Sequence, residues 1–448
     1  MILSAYTKEF KRNLTIAVPI MAGQVAHLLV ALADNIMVGK LGAAQLAAVS
    51  LGNTFIFIAL SIGMGFSFAI TPLVAEADGN KNVEVARAAF HNGFIMCAIN
   101  GVLLVLLLFL AEPILYQMDQ PEEVVRLAIP YMRIVGFSLI PLMLFQAMKQ
   151  FSDGLSLTRN AMYATLLANI VNVFINYLLI YGTWGFPRLE VEGAAYGTLI
   201  SRVLMLLLLY FILKRSSNTM IYFQRISKFS WAYMKSLLNL GLPTALQMFF
   251  EVSLFTSAIF LSGMLGTEEQ AANQIALNLS ALTFMVGVGL SVTATIRVGN
   301  HLAPEKRPDL IRVARSIFLM AIIVDIAFAL FFYLGRHLLP EIYIDDVKVI
   351  ELASGLLLIA ALFQISDGLQ VVVLGALRGL QDVWIPSLIC FCAYTLIGFP
   401  ISYYSSLRYD FGINGIWLGL LVGLSVSALL MYLRFRHLTK QTLTIMIK

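Results

Sequence analysis

Apolar stretches of about 20 residues recur along the chain about twelve times, each long enough to cross the roughly 30 Å hydrocarbon core of a bilayer as a helix. Few folds remain open to such a chain. Inside lipid every backbone polar group has to be satisfied within the spanning structure, which leaves helical bundles and closed barrels, and these stretches are too long and too little alternating for barrel strands. The expected fold is an all-α integral membrane protein, with helices near 15–38, 46–76, 88–111, 124–148, 160–182, 193–213, 236–263, 270–298, 312–335, 350–377, 384–406 and 413–434. Hydrophobic residues at 60% and charged residues at 12% exclude a soluble globular domain and a disordered chain alike. The first apolar run follows Lys8, Lys11 and Arg12, as a secretory signal would, but it exceeds a signal core in length and carries Asp34, so it reads as a retained first helix.

Charge and cysteine usage narrow the function classes. On these spans roughly three quarters of the 30 Lys and Arg fall on one side, and Arg133 and Arg202 lie within helices. The positive-inside rule then places both termini in the cytoplasm of a multi-pass inner (plasma) membrane protein. The net charge of +5 thus reflects topology, and no basic cluster interleaved with aromatics indicates nucleic-acid binding. Cys97, Cys390 and Cys392 lie inside apolar spans without a histidine cluster, so neither a disulfide framework nor a zinc site is indicated. No HExxH, GxSxG or Walker sequence suggests an enzyme, and no cofactor is implied.

The chain repeats itself at an offset of 224 residues. Pro19 matches Pro243, Leu41 and Gly42 match Leu265 and Gly266, Gly63 and Gly65 match Gly287 and Gly289, and Thr71 matches Thr295. Gln146 matches Gln370, and after small slips Gly193 and Gly197 match Gly415 and Gly419. Two pseudo-symmetric six-helix lobes follow, 1–213 and 236–448, joined by a cytoplasmic linker at 214–235 whose Phe223, Phe229, Trp231 and Tyr233 suggest contact with lipid headgroups. An even helix count per lobe relates the lobes by an axis along the membrane normal, an arrangement typical of transporters whose substrate site lies between the lobes. Two lobes in one chain make a monomer sufficient.

Four carboxylates fall within spans: Asp34, Glu251, Asp325 and Asp367. Each costs roughly 2.5–3.5 kcal/mol at mid-membrane, about 10 kcal/mol together, so a compensating role is expected. Each has polar residues on its helix face or a polar counterpart. Gln24, His27 and Asp34 share one side of the first helix, Gln247 and Glu251 one side of the seventh, and Gln364, Asp367 and Gln370 one side of the tenth. Asn169, Asn172 and Asn176 line the fifth helix, and Gln274 and Asn278 the eighth. Amides beside a carboxylate bond it without neutralising it, leaving a site for a cation or a proton; alone, such amides also serve as interhelical glue. The lobe register separates the acids. Asp325 aligns with Asn100, which favours packing, whereas Asp34, Glu251 and Asp367 align with Ala258, His27 and Met143 and have no acidic counterpart.

The stretches ALADNIMVGKLG (31–42), QMFFEVSLF (247–255), NQIALNLSALTFMVGVGLSVTATIRVGN (273–300) and ISDGLQVVVLGALRGLQD (365–382) resemble the multidrug and toxic compound extrusion (MATE) family, specifically its NorM-like branch, over essentially the whole chain. The resemblance implies the MATE-type transporter fold, with Asp34 as the N-lobe carboxylate and Glu251 and Asp367 as C-lobe cation-site carboxylates, candidate ligands for Na+. It also implies roles for Asn172 and Asn176 beside the N-lobe acid and for Gln274 and Asn278 on the eighth helix. Where some relatives place a tyrosine over the cation, this chain has Phe284, which keeps the ring and lacks the hydroxyl. The expected function is antiport of amphipathic, often cationic, small molecules against Na+ or H+. The alternative is a flippase for lipid-linked precursors, which should carry several cleft arginines to hold phosphates.

Overall fold

The computed structural model describes residues 2–117, 121–302 and 307–446. Among them twelve helices are long and apolar enough to cross a membrane: α1 (Thr7–Gly39), α2 (Ala43–Gly79), α3 (Val83–Leu115), α4 (Glu122–Gly154), α5 (Thr158–Tyr181), α6 (Glu190–Arg215), α7 (Trp231–Leu265), α8 (Thr267–Gly299), α9 (Pro308–Gly335), α10 (Val347–Gly379), α11 (Trp384–Leu407) and α12 (Gly412–Lys440). Each overlaps one span read from the sequence. Several run a turn further, because their ends are set by polar caps outside the apolar core. The Asn82 side chain accepts from the Val85 backbone N–H at 3.1 Å and the Asp346 side chain from that of Lys348 at 2.9 Å, satisfying helix-start donors that would otherwise be orphaned.

On α3 the exposed face carries Ile99, Leu103, Leu106, Leu107 and Leu110, the buried face Met96, Asn100, Leu104 and Leu108. Between residues 96 and 110 apolar side chains point both ways and the one polar side chain, Asn100, points inward, as a lipid-bathed helix requires. Gly42 and Gly266, matched by the repeat, precede α2 and α8 with nearly the same backbone (φ 149°, ψ 170° and φ 158°, ψ 171°), a region open essentially to glycine alone. The duplication therefore extends to local conformation.

The described chain forms two compact units whose boundaries lie inside helices. One unit is Ala22–Ala245, and the other joins the chain up to Met21 with everything from Leu246 onward. Both boundaries fall two residues after a helix proline, Pro19 or Pro243, where the missing N–H weakens the helical ladder. This differs from the division at 1–213, 214–235 and 236–448: the leading segments of the two sequence halves are exchanged. Two matched glycines permit the exchange. A Cβ on Gly65 of α2 would lie 2.3 Å from Ala245 Cα, and one on Gly289 of α8 would lie 2.4 Å from Met21 Cγ, so only glycine lets each leading segment come so close. In the C-terminal unit Ile16 and Ile20 then pack with Val292 and Ile296, and a buried Glu9–Arg297 ion pair at 2.5 Å fixes the segment further.

Residues 214–235 belong to the Ala22–Ala245 unit. Arg87 donates to the Ile221 carbonyl at 2.9 Å, while His91 Nδ1 and Asn92 Oδ1 accept from the backbone N–H of Ser227 and Ser230, each at 2.9 Å. Phe223 and Tyr222 pack edge-on against Phe90 and Phe151, which stack on each other at 4.2 Å. The segment is a docked strap.

Candidate functional site

In the Ala22–Ala245 unit, half-buried Asp34 faces α5. Asn176 donates through Nδ2 to Asp34 Oδ1 at 2.6 Å and to Asn172 Oδ1 at 3.3 Å, so the acid and two α5 asparagines form one chain of contacts. Asn169, one turn earlier, is buried with its amide nitrogen unpartnered. One turn further along both helices, the Tyr181 hydroxyl donates to the Met37 carbonyl at 2.9 Å and pins α1 to α5 beside the acid. Gln24 is half-buried on the same helix as Asp34, and His27 is exposed.

Two residues not marked as site residues by the sequence pattern join this group. Arg202, on α6, acts electrostatically on Asp34 and on Tyr131, and its guanidinium donates to Ser138 Oγ at 2.6 Å, where α4 breaks between its two segments. The Tyr131 hydroxyl donates to Asn53 Oδ1 at 3.0 Å. Arg202 is visible in the sequence as a basic residue inside a span; its convergence with Asp34 requires the packing of α1, α4 and α6 together.

In the C-terminal unit, Gln247 donates to Glu251 Oε2 at 3.2 Å and accepts from Arg378 Nη2 at 2.5 Å, so a basic residue reaches the acid through the amide. Arg378 lies just past the expected span 350–377, and the helix carries it inward by continuing to Gly379. Arg378 thus joins Arg133 and Arg202 as a basic residue carried by a spanning helix; Arg133 is bound to Glu112 at 2.5 Å and half exposed.

Asp367 is 2% exposed, its Oδ1 has no hydrogen-bond partner, and the charges of Glu251 and Asp325 act on it. Asp325, on α9, is also buried with Oδ2 unpartnered, and its carboxylate crowds the backbone beside Asp367: a Cβ on Gly368 would lie 2.2 Å from it. The register explains this placement. In the other unit Asn100 donates to the Gly63 carbonyl at 3.2 Å and touches Met143 Sδ, and Met143 is the counterpart of Asp367. Both units use one packing position against the same neighbour, and in the C-terminal unit that neighbour pair is two acids. Asp325 thus belongs to the acidic group as well as to the packing.

The remaining expected residues spread around this centre. Gln364 donates to Thr283 Oγ1 and Gln370 contacts Met431 Sδ, each leaving Oε1 buried without a donor. Gln274 and Asn278 bond each other at 3.2 Å on an exposed part of α8, and Phe284 packs partly buried against the core of this unit. Tyr394, fully buried in the π-helical stretch Phe391–Gly398 of α11, lies within electrostatic reach of Glu251. Among the described residues no three His, Cys, Asp or Glu side chains converge on one point suited to a metal ion, so a cation here would be held by one or two carboxylates with amide or hydroxyl oxygens.

A family model described as MatE matches residues 19–178 and 243–404. The chain belongs to the MatE family. Both matched segments open on the helix prolines, Pro19 and Pro243, and so reproduce the 224-residue offset. A probable multidrug resistance protein NorM of Agrobacterium fabrum (strain C58 / ATCC 33970) is 32% identical over 444 residues, covering 98% of this chain and 96% of that protein. The multidrug resistance protein MdtK of Yersinia pseudotuberculosis serotype O:1b (strain IP 31758) is 33% identical over 447 residues, covering 98% of each. This chain is a NorM-like MatE member. Its fold is that of solved MATE structures: the eukaryotic MATE transporter AtDTX14 superposes with a TM-score of 0.87 at 20% identity, covering 98% of this chain and 99% of that one, and a MATE in the bent conformation with 0.89 at 20%, covering 100% and 99%.

Proposed function

We propose that this MatE protein exports amphipathic, often cationic, organic compounds by alternating access, coupled to inward movement of Na+ or H+. The observation that carries the reading is Asp367: a carboxylate buried in a membrane helix, with one oxygen lacking any donor and two further acids within electrostatic reach. An unneutralised acidic group in a low-dielectric interior gains from any cation it can take, whether ion, proton or cationic compound, and competition among these links one flux to another. An entering monovalent cation gains about 2.3 kcal/mol per 100 mV of membrane potential. The relatives named for multidrug resistance support the substrate class. We place both termini in the cytoplasm, by the distribution of basic residues, and take the monomer as the working unit.

The test is uptake of a fluorescent organic cation by proteoliposomes with a sodium or a proton gradient imposed alone. Counter-gradient-driven transport under one of them is expected, and transport under neither would sink the antiporter reading. Asp34→Asn, Glu251→Gln and Asp367→Asn should each abolish driven transport in protein that remains folded; full activity in all three would refute the assignment of the acids.

A further inference from the structure

The strap between α6 and α7 concentrates charge. Residues 214–235 carry Lys214, Arg215, Arg225, Lys228 and Lys235 and no acid, so this one segment holds a charge equal to the whole net charge of +5. All five are exposed, and among the described residues none has a carboxylate at ion-pair distance, whereas Arg87, Lys149 and Arg434 pair with Glu84, Asp153 and Asp382. The inner side of the strap is taken up by protein. Tyr222 is buried, Phe223 packs against Phe90, and the backbone at Ile221, Ser227 and Ser230 is hydrogen-bonded to Arg87, His91 and Asn92 of α3. The outer side is apolar as well as basic: Ile226 is 88% exposed, Trp231 66% and Phe229 56%. The depth of the strap follows from the length of α3. The 33 residues Val83–Leu115 span about 50 Å, about 20 Å more than the hydrocarbon core, which leaves about 10 Å of helix in the headgroup region at each end. Arg87, His91 and Asn92 lie about 6–14 Å from the start of that helix and so hold the strap at the boundary between headgroups and acyl chains.

We propose that the outer face of the 214–235 strap is a binding surface for anionic phospholipid, with lipid phosphates at Arg225 and Lys228 and acyl chains against Ile226, Phe229 and Trp231. Apolar side chains of this size gain by leaving water, and at this depth acyl chains are what they meet. Indole and phenyl rings beside basic residues suit the headgroup level, where the ring rests on the hydrocarbon edge and the charge reaches the phosphate. An anionic headgroup answers the unpaired charge; a zwitterionic one brings a cation of its own with each phosphate and answers it poorly. Because Arg87, His91 and Asn92 already fix the strap backbone, the surface stands before a lipid arrives, and binding bears little ordering cost. The inference is independent of the export reading, since this face holds none of the buried acids.

The experiment uses purified full-length protein in phosphatidylcholine bilayers that contain an increasing fraction of brominated phosphatidylglycerol or, separately, brominated phosphatidylcholine. Bromine quenches tryptophan at close range, and the part of the emission that is lost in Trp231→Phe reports on the strap. Each basic residue near an anionic surface contributes a factor of about five. Half-quenching of the wild type should therefore need an at least tenfold smaller fraction of the glycerol lipid than of the choline lipid. Arg225→Gln with Lys228→Gln should reduce that preference by fivefold or more in protein that still unfolds cooperatively. Lys81→Gln with Arg159→Gln removes two exposed charges outside the strap and should leave the preference within twofold of wild type. The proposal is overturned if the wild type shows no preference, if the Arg225 and Lys228 pair keeps it within twofold, or if the Lys81 and Arg159 pair loses it equally, since the charge would then act only through the membrane side it marks. Quenching by neither lipid would turn the strap away from the bilayer and overturn the proposal as well.

Discussion

Gly197→Ala should disturb Asp34 without touching it. A Cβ at residue 197 would stand 1.7 Å from Asn176 Oδ1 and 2.9 Å from its Cγ, so the amide has to swing away from α6. The same amide donates to Asp34 at 2.6 Å. A hydrogen bond to a charged acceptor contributes about 1.5–3 kcal/mol, and its loss corresponds to a change of roughly 10- to 150-fold in an equilibrium that depends on how Asp34 is held. Helix propensity acts in the opposite direction and is smaller, since alanine is favoured over glycine by about 0.5–1 kcal/mol in a helix interior. The assay is equilibrium binding of a fluorescent organic cation to purified wild type, Gly197→Ala, Asn176→Ala and the double variant. Each single variant should weaken binding by about tenfold or more, and the double variant should bind no more weakly than Asn176→Ala, because the methyl group then has nothing to displace. Additive losses in the double variant would refute the mechanism, since they would mean that residue 197 acts through some path other than the amide.

Further outcomes are expected elsewhere in the molecule. Removing one charge of a buried ion pair costs about 3–5 kcal/mol, so Glu9→Gln should markedly lower the melting temperature in detergent, and Glu9→Met with Arg297→Met should melt above either single methionine variant. Asp325→Asn installs the residue that the other unit carries at Asn100 and removes a mid-span acid that costs roughly 2.5–3.5 kcal/mol, so the variant should melt at or above wild type; a lower melting point would show that the carboxylate has a partner it needs. Cys97 and Cys390 are both buried, so a maleimide should leave these two thiols unmodified in the folded chain and reach all three only after denaturation in SDS.

Helix number, the lobe repeat and the mid-span acids were legible because each leaves a mark at fixed spacing in the chain. Gly42 and Gly266 could be paired by offset alone, and their shared backbone conformation follows from the same constraint. What the spacing does not carry is which helices meet. Arg378 sits one residue beyond the apolar window ending at 377, and only the fold brings it to Gln247, 131 residues away in the chain. Asp325 aligned with Asn100 and therefore read as packing, which is correct for the position; its neighbour Asp367, in place of Met143, is a fact of tertiary contact. Tyr394 gains its place from a π-helical stretch, for which the residues themselves offer no signal. The exchanged leading segments were equally silent, because a helix that passes from one unit to the other looks in hydropathy like any helix that does not.

That exchange bears on how such a chain could have arisen and how it can be cut. A single ancestral half, released by itself, would carry a leading segment with no groove of its own to fill, beside an empty groove at its second-helix glycine, and two copies trading segments would satisfy both. The covalent joining of two copies then fixes an existing swapped dimer and requires no new interface. By the same logic, a polypeptide severed within 214–235 should yield fragments that accumulate only when made together, each one supplying the groove in which the other's leading segment packs.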